Sequence, residues 1–389
     1  MKIALLTSVA EKVNPNLGST LQAYALYSIL ASDKVVKKAT AEIINFIPSR
    51  SIKGRIRQIA HLCNSFLMNP NMTYPIRLIN NLISRRRIEN FLQNRRLQKF
   101  EEFKTQHLRF TSSIFQNIYE MSNLDLYYDV FIVGSDMIWS PQLCDEELLS
   151  VYLLGFVKRA IKIAYGPSIG KEISKWALPI FGKYLRDFHR VSVRDRASAN
   201  ALKKSLGINP MVVLDPTCLL TPEEFMKIES LPKIPPTRPY ILVYDLNKSA
   251  EIIPQVKKIA KKYNWTLVTF SPTKEAFSFY TYGPSEFIWL CRNADFIISS
   301  SYHGTVLAVL FAKPFYAINP SFASYRISDF LYRIGLIDRM IYEPKCLLKL
   351  NFNENINWDS VHTALENERS RSYEFLRKAL EAVGSCNLF

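Results

Sequence analysis

The sequence has 389 residues, 48% of them hydrophobic, so it is long enough for two domains that each bury a core. Its six cysteines are scattered without a C-x-x-C pair, which is typical of reduced thiols in a cytosolic protein and not of a disulfide framework or metal site. No apolar stretch approaches the ~18 residues of a membrane span. Residues 1–10 predict a first β-strand, since the apolar core and cleavage site of a signal peptide are missing. We therefore expect a cytoplasmic protein.

The formal net charge of +16 is concentrated in one segment. Residues 50–104 contain twelve Lys or Arg against three Glu, a net +9, which leaves +7 for the rest of the chain. Two helical patterns, at 52–66 and 78–92, accompany arginine runs at 85–87 and 95–96. Basic amphipathic helices suit an anionic membrane surface or a polyphosphate. A solvated surface insertion explains the charge equally well, and nucleic acid is less favoured because no recognition motif accompanies it.

The first part of the chain alternates between apolar strand and helix patterns. Strands are predicted at 2–8, 41–46, 129–133, 162–165, 190–193 and 211–214. A helix is predicted at 20–31, after a loop at Gly18, and a basic helical insertion at 50–110. Prolines concentrate at 222–238 and predict a linker, so the first α/β domain is expected to span residues 1–237.

A second alternating part is expected at residues 238–358. Strands are predicted at 240–244, 266–270, 295–298 and 314–318, and helices at 248–262, 284–292, 305–312 and 325–335. A last helix, at about 359–384, is expected to cross back and pack on the first domain. Strand–helix alternation with short loops implies parallel sheets covered by helices. The sequence thus predicts an α/β fold with two Rossmann-like domains.

The most informative segment joins a predicted strand to a predicted helix. The strand at 294–298 ends in three serines, and Tyr302, His303 and Gly304 follow before the helix. Free backbone N–H groups and the helix dipole at such a junction favour an anion. His303 is one of only five histidines in the chain, and it stands beside three hydroxyl groups and a glycine. The alternative is that His303 only caps the structure.

This segment, NADFIISSSYHGTVLAVLFAKPF at 293–315, resembles the polysaccharide pyruvyltransferase family. Other fragments of the chain resemble the same family in its own order: 16–26, 129–139, 164–170, 192–196, 213–217 and 326–336. Each fragment is weak alone, but together they reach from residue 16 to residue 340. The resemblance implies a two-domain, glycosyltransferase-like (GT-B-like) arrangement with its active site in the inter-domain cleft, the acceptor on the first domain and the donor on the second.

The resemblance also implies a reaction. Members of the family move a pyruvyl group from phosphoenolpyruvate onto a sugar as a ketal during assembly of capsules and other surface polysaccharides. That chemistry needs a general acid for the enol carbon, a base for the sugar hydroxyl and cations for carboxylate and phosphate, but no cofactor or metal. The expected acceptor is a lipid-linked or nucleotide-linked saccharide, and the basic insertion would dock the protein at the inner face of the cell membrane.

On the donor side, the family's matching arginine faces phosphoenolpyruvate, so Arg194 is the expected clamp. A surface Arg–Asp pair is the alternative. His303 would contact phosphate and transfer the proton, because its ordinary pKa suits both roles near neutral pH. Ser301, Gly304 and Thr305 are expected beside it, with the N–H groups of Gly304 and Thr305 binding oxygen atoms. Many family members carry arginine where this chain has Ser301.

The missing cation at that position needs a substitute, and Arg326 and Lys162 are the candidates. Asp136, which follows Ser135 at a strand end, is the expected base, unless it only caps a helix. Asn16 and Gly18 are expected to line the acceptor side, unless Gly18 simply makes a turn.

Glu286 would bind a sugar hydroxyl or serve as a favourable first-turn charge. Tyr165, Trp139 and Tyr302 would stack on a sugar face or belong to the core. Asp215 is interpreted as a turn former.

Two other functions compete with pyruvyl transfer. A GT-B-type glycosyltransferase that uses a nucleotide sugar would share the fold and the cleft, although no carboxylate is clearly placed to bind a ribose. A non-catalytic scaffold at the membrane surface would use residues 50–104, although the set of cleft residues speaks against it. Phosphate release from phosphoenolpyruvate distinguishes the three.

Overall fold

The computed structural model describes residues 1–9, 15–48, 77–245, 249–270, 272–273, 276–319 and 325–386. Within them, the chain forms two parallel six-stranded sheets. The predicted helical pattern at 52–66 lies outside the described residues, and nothing here tests it. No helix in the described part of the chain is both long and apolar enough to cross a membrane.

The first sheet has the strand order β2-β1-β3-β4-β5-β6. Its strands are β1 (Lys2–Leu6), β2 (Thr40–Ile43), β3 (Val130–Val133), β4 (Ile161–Ala164), β5 (Arg190–Val193) and β6 (Met211–Val212). The helices of this part are α1 (Leu17–Leu30), α2 (Arg77–His107), α3 (Glu146–Tyr152), α4 (Leu178–Tyr184), α5 (Arg196–Leu206) and α6 (Pro222–Met226). The predicted linker therefore begins with a short helix, because Thr221 and Glu224 form a capping box there.

The second sheet has the order β12-β11-β10-β7-β8-β9. Its strands are β7 (Tyr240–Tyr244), β8 (Thr266–Thr269), β9 (Phe277–Ser278), β10 (Phe296–Ser299), β11 (Phe315–Ile318) and β12 (Met340–Ile341). The helices are α7 (Ser249–Tyr263), α8 (Pro284–Asn293), α9 (Tyr302–Leu310), α10 (Tyr325–Arg333) and α11 (Trp358–Cys386). The strand orders confirm the predicted fold class of two Rossmann-like units.

Both sheets are covered on two faces, as parallel sheets require. Alternate residues of β1 point into different apolar clusters: Ile3 and Leu5 into one, Ala4 and Leu6 into the other. The cluster containing Ile3 continues without a break into the second half, where it includes Phe287 of α8. The two halves therefore share apolar packing, which fixes the side chains that meet between them.

Each sheet has a topological switch point, where neighbouring strands lead their chains to opposite sides. In the first sheet this point lies between β1 and β3, and in the second between β7 and β10. Ligands of open α/β sheets bind outside the carboxyl ends of strands at such points. The chain places Ser135 just after β3 and His303 just after β10.

Two helices connect the halves. The last one, α11, packs on the first half: Ser372 Oγ accepts from the Leu214 N–H at 2.9 Å, and the Tyr373 hydroxyl donates to the Leu219 carbonyl. The described end of the basic insertion, α2, packs against α1 through Phe103 and Tyr24, whose ring centroids lie 5.8 Å apart, and its Lys99 pairs with Glu286 of α8 at 2.9 Å. The described end of this helix therefore is not only a solvated face.

Candidate active site

Arg194, directly after β5, lies at the centre of a buried polar cluster. Its side chain is fully buried, and each of its nitrogens donates a hydrogen bond. Nε donates to Ser168 Oγ at 2.9 Å, Nη2 to Asp136 Oδ1 at 2.9 Å, and Nη1 to Asp215 Oδ2. Burial disfavours the guanidinium charge, but Asp136 and Asp215 outweigh it and raise the pKa of Arg194. The planar fork therefore holds two carboxylates in fixed positions.

Asp215 is the carboxylate that joins the two halves. Its Oδ1 accepts from the N–H and hydroxyl of Thr217 at 3.0 and 2.7 Å, so it is also the turn former that the sequence suggests. Its Oδ2 faces Arg194 and lies 3.5 Å from His303 Nε2. Burial favours the neutral acid, yet His303 and Arg194 outweigh it and hold the pKa of Asp215 well below its ordinary value. This carboxyl group stays ionised at neutral pH.

His303 enters the cluster from the second half, on the first turn of α9. The helix starts at Tyr302, three residues before the predicted start, so His303 and Gly304 are helical. The buried Nε2 atom has no hydrogen-bond partner among the described residues, because its 3.5 Å approach to Asp215 falls outside hydrogen-bond geometry. The Nδ1 edge of the ring packs against Gly18, where an added Cβ would lie 2.1 Å from Nδ1. Only glycine leaves room for this histidine.

Asp136 and Arg326 form the more open edge of the cluster. Asp136 Oδ1 lies 2.9 Å from Arg194 Nη2 and 3.7 Å from Arg326 Nη1. Asp136 adopts φ 66°, a strained conformation of the kind that often accompanies functional sites. Burial opposes its charge, but Arg194, His303 and Arg326 outweigh that and lower the pKa of Asp136. Burial and the like charge of Arg194 lower the pKa of Arg326, whose buried Nε has no hydrogen-bond partner among the described residues.

The other residues predicted beside His303 have structural contacts. Thr305 donates from its N–H and its hydroxyl to the Ser301 carbonyl, at 3.1 and 3.0 Å, so the N–H that the sequence predicts to bind an oxygen atom is already paired inside the helix. An added Cβ at Gly304 would lie 2.4 Å from Ser299 Oγ, which gives this glycine a packing reason. Ser301 is 8% exposed and precedes the helix in extended backbone.

The residues predicted on the acceptor side also make structural contacts. Asn16 is exposed and caps α1, with its Oδ1 accepting from the Ser19 N–H at 3.1 Å. Ser135 is fully buried, and its hydroxyl donates to the Gly166 carbonyl at 2.8 Å. Glu286 accepts from the Gly283 N–H and pairs with Lys99 of α2 at 2.9 Å, so it has the first-turn role of the alternative interpretation.

The three aromatic candidates and Lys162 are all buried and make contacts within the protein. Trp139 and Tyr165 are completely buried, and their polar atoms bond to the carbonyls of Tyr152 and Leu214. Tyr302 is buried with its ring 5.0 Å from the Arg194 guanidinium. Lys162 pairs with Asp187 at 3.4 Å and therefore does not replace the missing cation.

The cluster combines two ionised carboxylates, two arginines and an imidazole from both halves of the fold. Such a set can bind an anion, move a proton and accept one. It does not suggest a metal centre: among the described residues, no group of three His, Cys, Asp or Glu side chains is arranged to hold an ion.

The sequence places this chemistry within a known family. The family model for polysaccharide pyruvyl transferases matches residues 16–321, well over half of the chain, and this span contains every member of the cluster except Arg326. The chain belongs to the polysaccharide pyruvyl transferase family. Membership confirms the family predicted from the sequence motifs and makes this pyruvyl transferase a transferase of polysaccharide biosynthesis. No curated protein matches the sequence at a significant level.

Solved structures similar to this pyruvyl transferase support the fold. The UDP-N-acetylglucosamine 2-epimerase of Rickettsia bellii is 10% identical with a TM-score of 0.52, over 100% of this chain and 98% of the epimerase. The UDP-GlcNAc 2-epimerase of Methanocaldococcus jannaschii is 12% identical with a TM-score of 0.50, over 96% and 100%. At these identities the likeness shows the shared two-domain fold alone.

Proposed function

We propose that this pyruvyl transferase moves the pyruvyl group of phosphoenolpyruvate onto two hydroxyls of a saccharide as a ketal, during assembly of a surface polysaccharide. The observation that carries the proposal is the setting of His303. This imidazole is buried, its Nε2 has no hydrogen-bond partner in the described part of the chain, and it faces an ionised carboxylate beside two arginines. A proton donor next to a cationic binding site is what an anionic enol needs.

In the proposed complex the donor binds at the edge formed by Arg326 and the first turn of α9. The buried Nε of Arg326 has no hydrogen-bond partner among the described residues, and the helix N-terminus favours negative charge. Arg194 differs from the clamp predicted from sequence, because its side chain is fully buried and three of its five N–H groups already donate to Ser168, Asp215 and Asp136. Its proposed role is to hold Asp136 and Asp215 and to supply positive charge.

The proposed chemistry starts with protonation of the enol carbon C3 by His303, which leaves an oxocarbenium-like centre at C2. The first sugar hydroxyl attacks C2 while Asp136 takes its proton. Asp136 is ionised because its pKa is lowered, and this weak base suffices because the cationic centre makes the attacking hydroxyl acidic. A neighbouring hydroxyl then displaces phosphate, which leaves with that hydroxyl's proton, and the ketal closes. Asp215 stabilises the imidazolium.

The acceptor is proposed to be a lipid-linked or nucleotide-linked saccharide that approaches along the first half, past the exposed Asn16. The basic insertion at 50–104 is proposed to hold the protein at an anionic membrane surface, where lipid-linked acceptors reside. Each basic residue near such a surface contributes about 1 kcal/mol, and salt weakens the attraction.

The test is to incubate the protein with phosphoenolpyruvate and candidate saccharides, and to measure phosphate release and acid-labile pyruvate on the sugar. His303→Gln keeps a hydrogen-bonding group but cannot donate the proton, so turnover should fall about 10²- to 10⁴-fold. His189→Gln is the matched control, because His189 is exposed. Turnover equal to wild type in His303→Gln contradicts the assigned role. Consumption of a nucleotide sugar in place of phosphoenolpyruvate contradicts the function.

A further inference from the structure

The arginine run at 95–96 divides into two different environments on α2. Arg95 is exposed, whereas Arg96 is 7% exposed. Successive residues of a helix point about 100° apart, so one of two neighbours can face solvent while the other faces the protein. Arg96 therefore brings a positive charge from the basic insertion into the interior.

Arg96 has no carboxylate partner among the described residues. Its Nη2 donates to the Pro15 carbonyl at 2.6 Å, and its buried Nε has no hydrogen-bond partner in the described part of the chain. Its guanidinium lies 4.8 Å from the Phe270 ring and 5.0 Å from the Tyr280 ring, both in the second half. Aromatic faces attract a cation but do not neutralise it. A buried, unpaired guanidinium is costly unless an anion completes it.

Two short paths lead from Arg96 to His303, one through each half. In the first half, Pro15 directly precedes the cap of α1, and Gly18 of that helix touches His303. In the second half, the Phe270 ring packs on Tyr244 at 5.5 Å, and Tyr244 lies against Gly304, the neighbour of His303. Arg96 is thus linked by packing and hydrogen bonding to the starts of both α1 and α9, where His303 lies.

Tyr244 connects the surroundings of Arg96 to the start of α9 through its ring packing on Phe270 and against Gly304. Burial raises the pKa of Tyr244, and the charge of Arg96 opposes this rise. Ser301 is the residue that stands where many family members carry arginine.

We propose that Arg96, carried by the basic insertion, is a further donor-binding residue that contacts the carboxylate or phosphate of phosphoenolpyruvate. This inference rests on the proposed function, because phosphoenolpyruvate is the anion it names. It gives the insertion helix a part in the active site, and it supplies a cation that Ser301 does not.

The test compares Arg96→Met, which keeps the apolar stem, with Arg96→Lys and with Arg95→Met as the exposed control. In Arg96→Met, KM for phosphoenolpyruvate should rise about 10- to 100-fold, the factor expected for one lost charge-assisted hydrogen bond. KM for the saccharide and the Tm should stay near the wild-type values. The KM of Arg96→Lys for phosphoenolpyruvate should lie between those of wild type and Arg96→Met. Ser301→Arg in the Arg96→Met background should lower KM again, which a merely structural role does not predict.

The proposal is overturned if an active Arg96→Met enzyme keeps the wild-type KM for phosphoenolpyruvate. It is also overturned if both KM values and the Tm change together without rescue by Ser301→Arg. If Arg96→Met does not fold, the same comparison is decided by Arg96→Lys. Wild-type protein that neither binds nor consumes phosphoenolpyruvate removes the proposed function and this inference with it. Loss of the inference alone appears as an active enzyme indifferent to residue 96.

Discussion

Replacing Arg194 by lysine keeps the positive charge of the cluster but removes its planar fork. The guanidinium donates to Ser168, Asp136 and Asp215 at once. An ammonium group at the end of a flexible stem cannot hold the two carboxylates in the same relative positions as the two ends of a planar guanidinium. The substitution therefore tests whether geometry or charge alone organises the site.

The size of the effect follows from the hydrogen bonds that lysine cannot make. Two of the three are lost, and hydrogen bonds to charged groups contribute about 1.5–3 kcal/mol each. We expect the free energy of unfolding to fall by about 3–5 kcal/mol, the range for breaking a buried ion pair. The Arg194 side chain is fully buried, so solvent does not screen the loss.

The measurement is urea denaturation of wild type, Arg194→Lys and Arg196→Lys, with midpoint and slope fitted separately. Arg196 is the control because its side chain is 55% exposed and lies 3.6 Å from its one carboxylate partner among the described residues, Asp329. Exposed pairs contribute at most about 1 kcal/mol. If Arg194→Lys loses no more stability than Arg196→Lys at equal slope, the fork is not what holds the carboxylates.

Three further predictions concern stability at low pH, packing beside His303 and binding to anionic membranes. Because the folded pKa of Asp215 is lowered, its stabilisation is complete above the ordinary aspartate value of about 3.9 and is lost as pH falls toward the lowered one. Asp215→Asn should therefore lose less unfolding free energy than wild type between about pH 5 and pH 3, measured by denaturation at each pH. Gly18→Ala should displace His303 and reduce turnover, whereas Gly182→Ala, whose Cβ meets its nearest atom at 3.7 Å, should not. Replacing the arginines at 85–87 by alanine should weaken salt-sensitive co-sedimentation with anionic vesicles; binding that ignores both salt and substitution contradicts the membrane proposal.

Local patterns were enough to predict most strands and the parallel sheets. The predicted strand at 240–244 and the observed Tyr240–Tyr244 coincide, since five consecutive apolar residues suit a strand buried on both faces. The sequence pattern predicts the helix after β10 from residue 305, three residues after its observed start at Tyr302. Gly304 lets α9 approach Tyr244 of β7, because an added Cβ would lie 2.9 Å from the Tyr244 ring, and a contact between residues so far apart in the chain has no local pattern.

The same limit explains the site residues that were missed or misjudged. Asp215 does form the local turn that its sequence suggests, but its second oxygen is used by Arg194 and His303, which are far away in the chain. Arg96 was counted only as part of a charged run. Neighbouring residues of a helix point about 100° apart, so the helical pattern allows Arg95 to be exposed while Arg96 is buried.

The contact between Leu214 and Ser372 has a consequence for synthesis of the chain. The Leu214 N–H, one residue before Asp215, donates to a hydroxyl 158 residues later in the sequence. Amino-terminal domains usually fold first as the polypeptide emerges from the ribosome. Here the loop carrying Asp215 keeps a buried donor without its native acceptor until α11 has been made. The buried cluster around Asp215 can then be completed only after nearly the whole protein has been synthesised, so a nascent or truncated chain lacks part of the contacts that hold it.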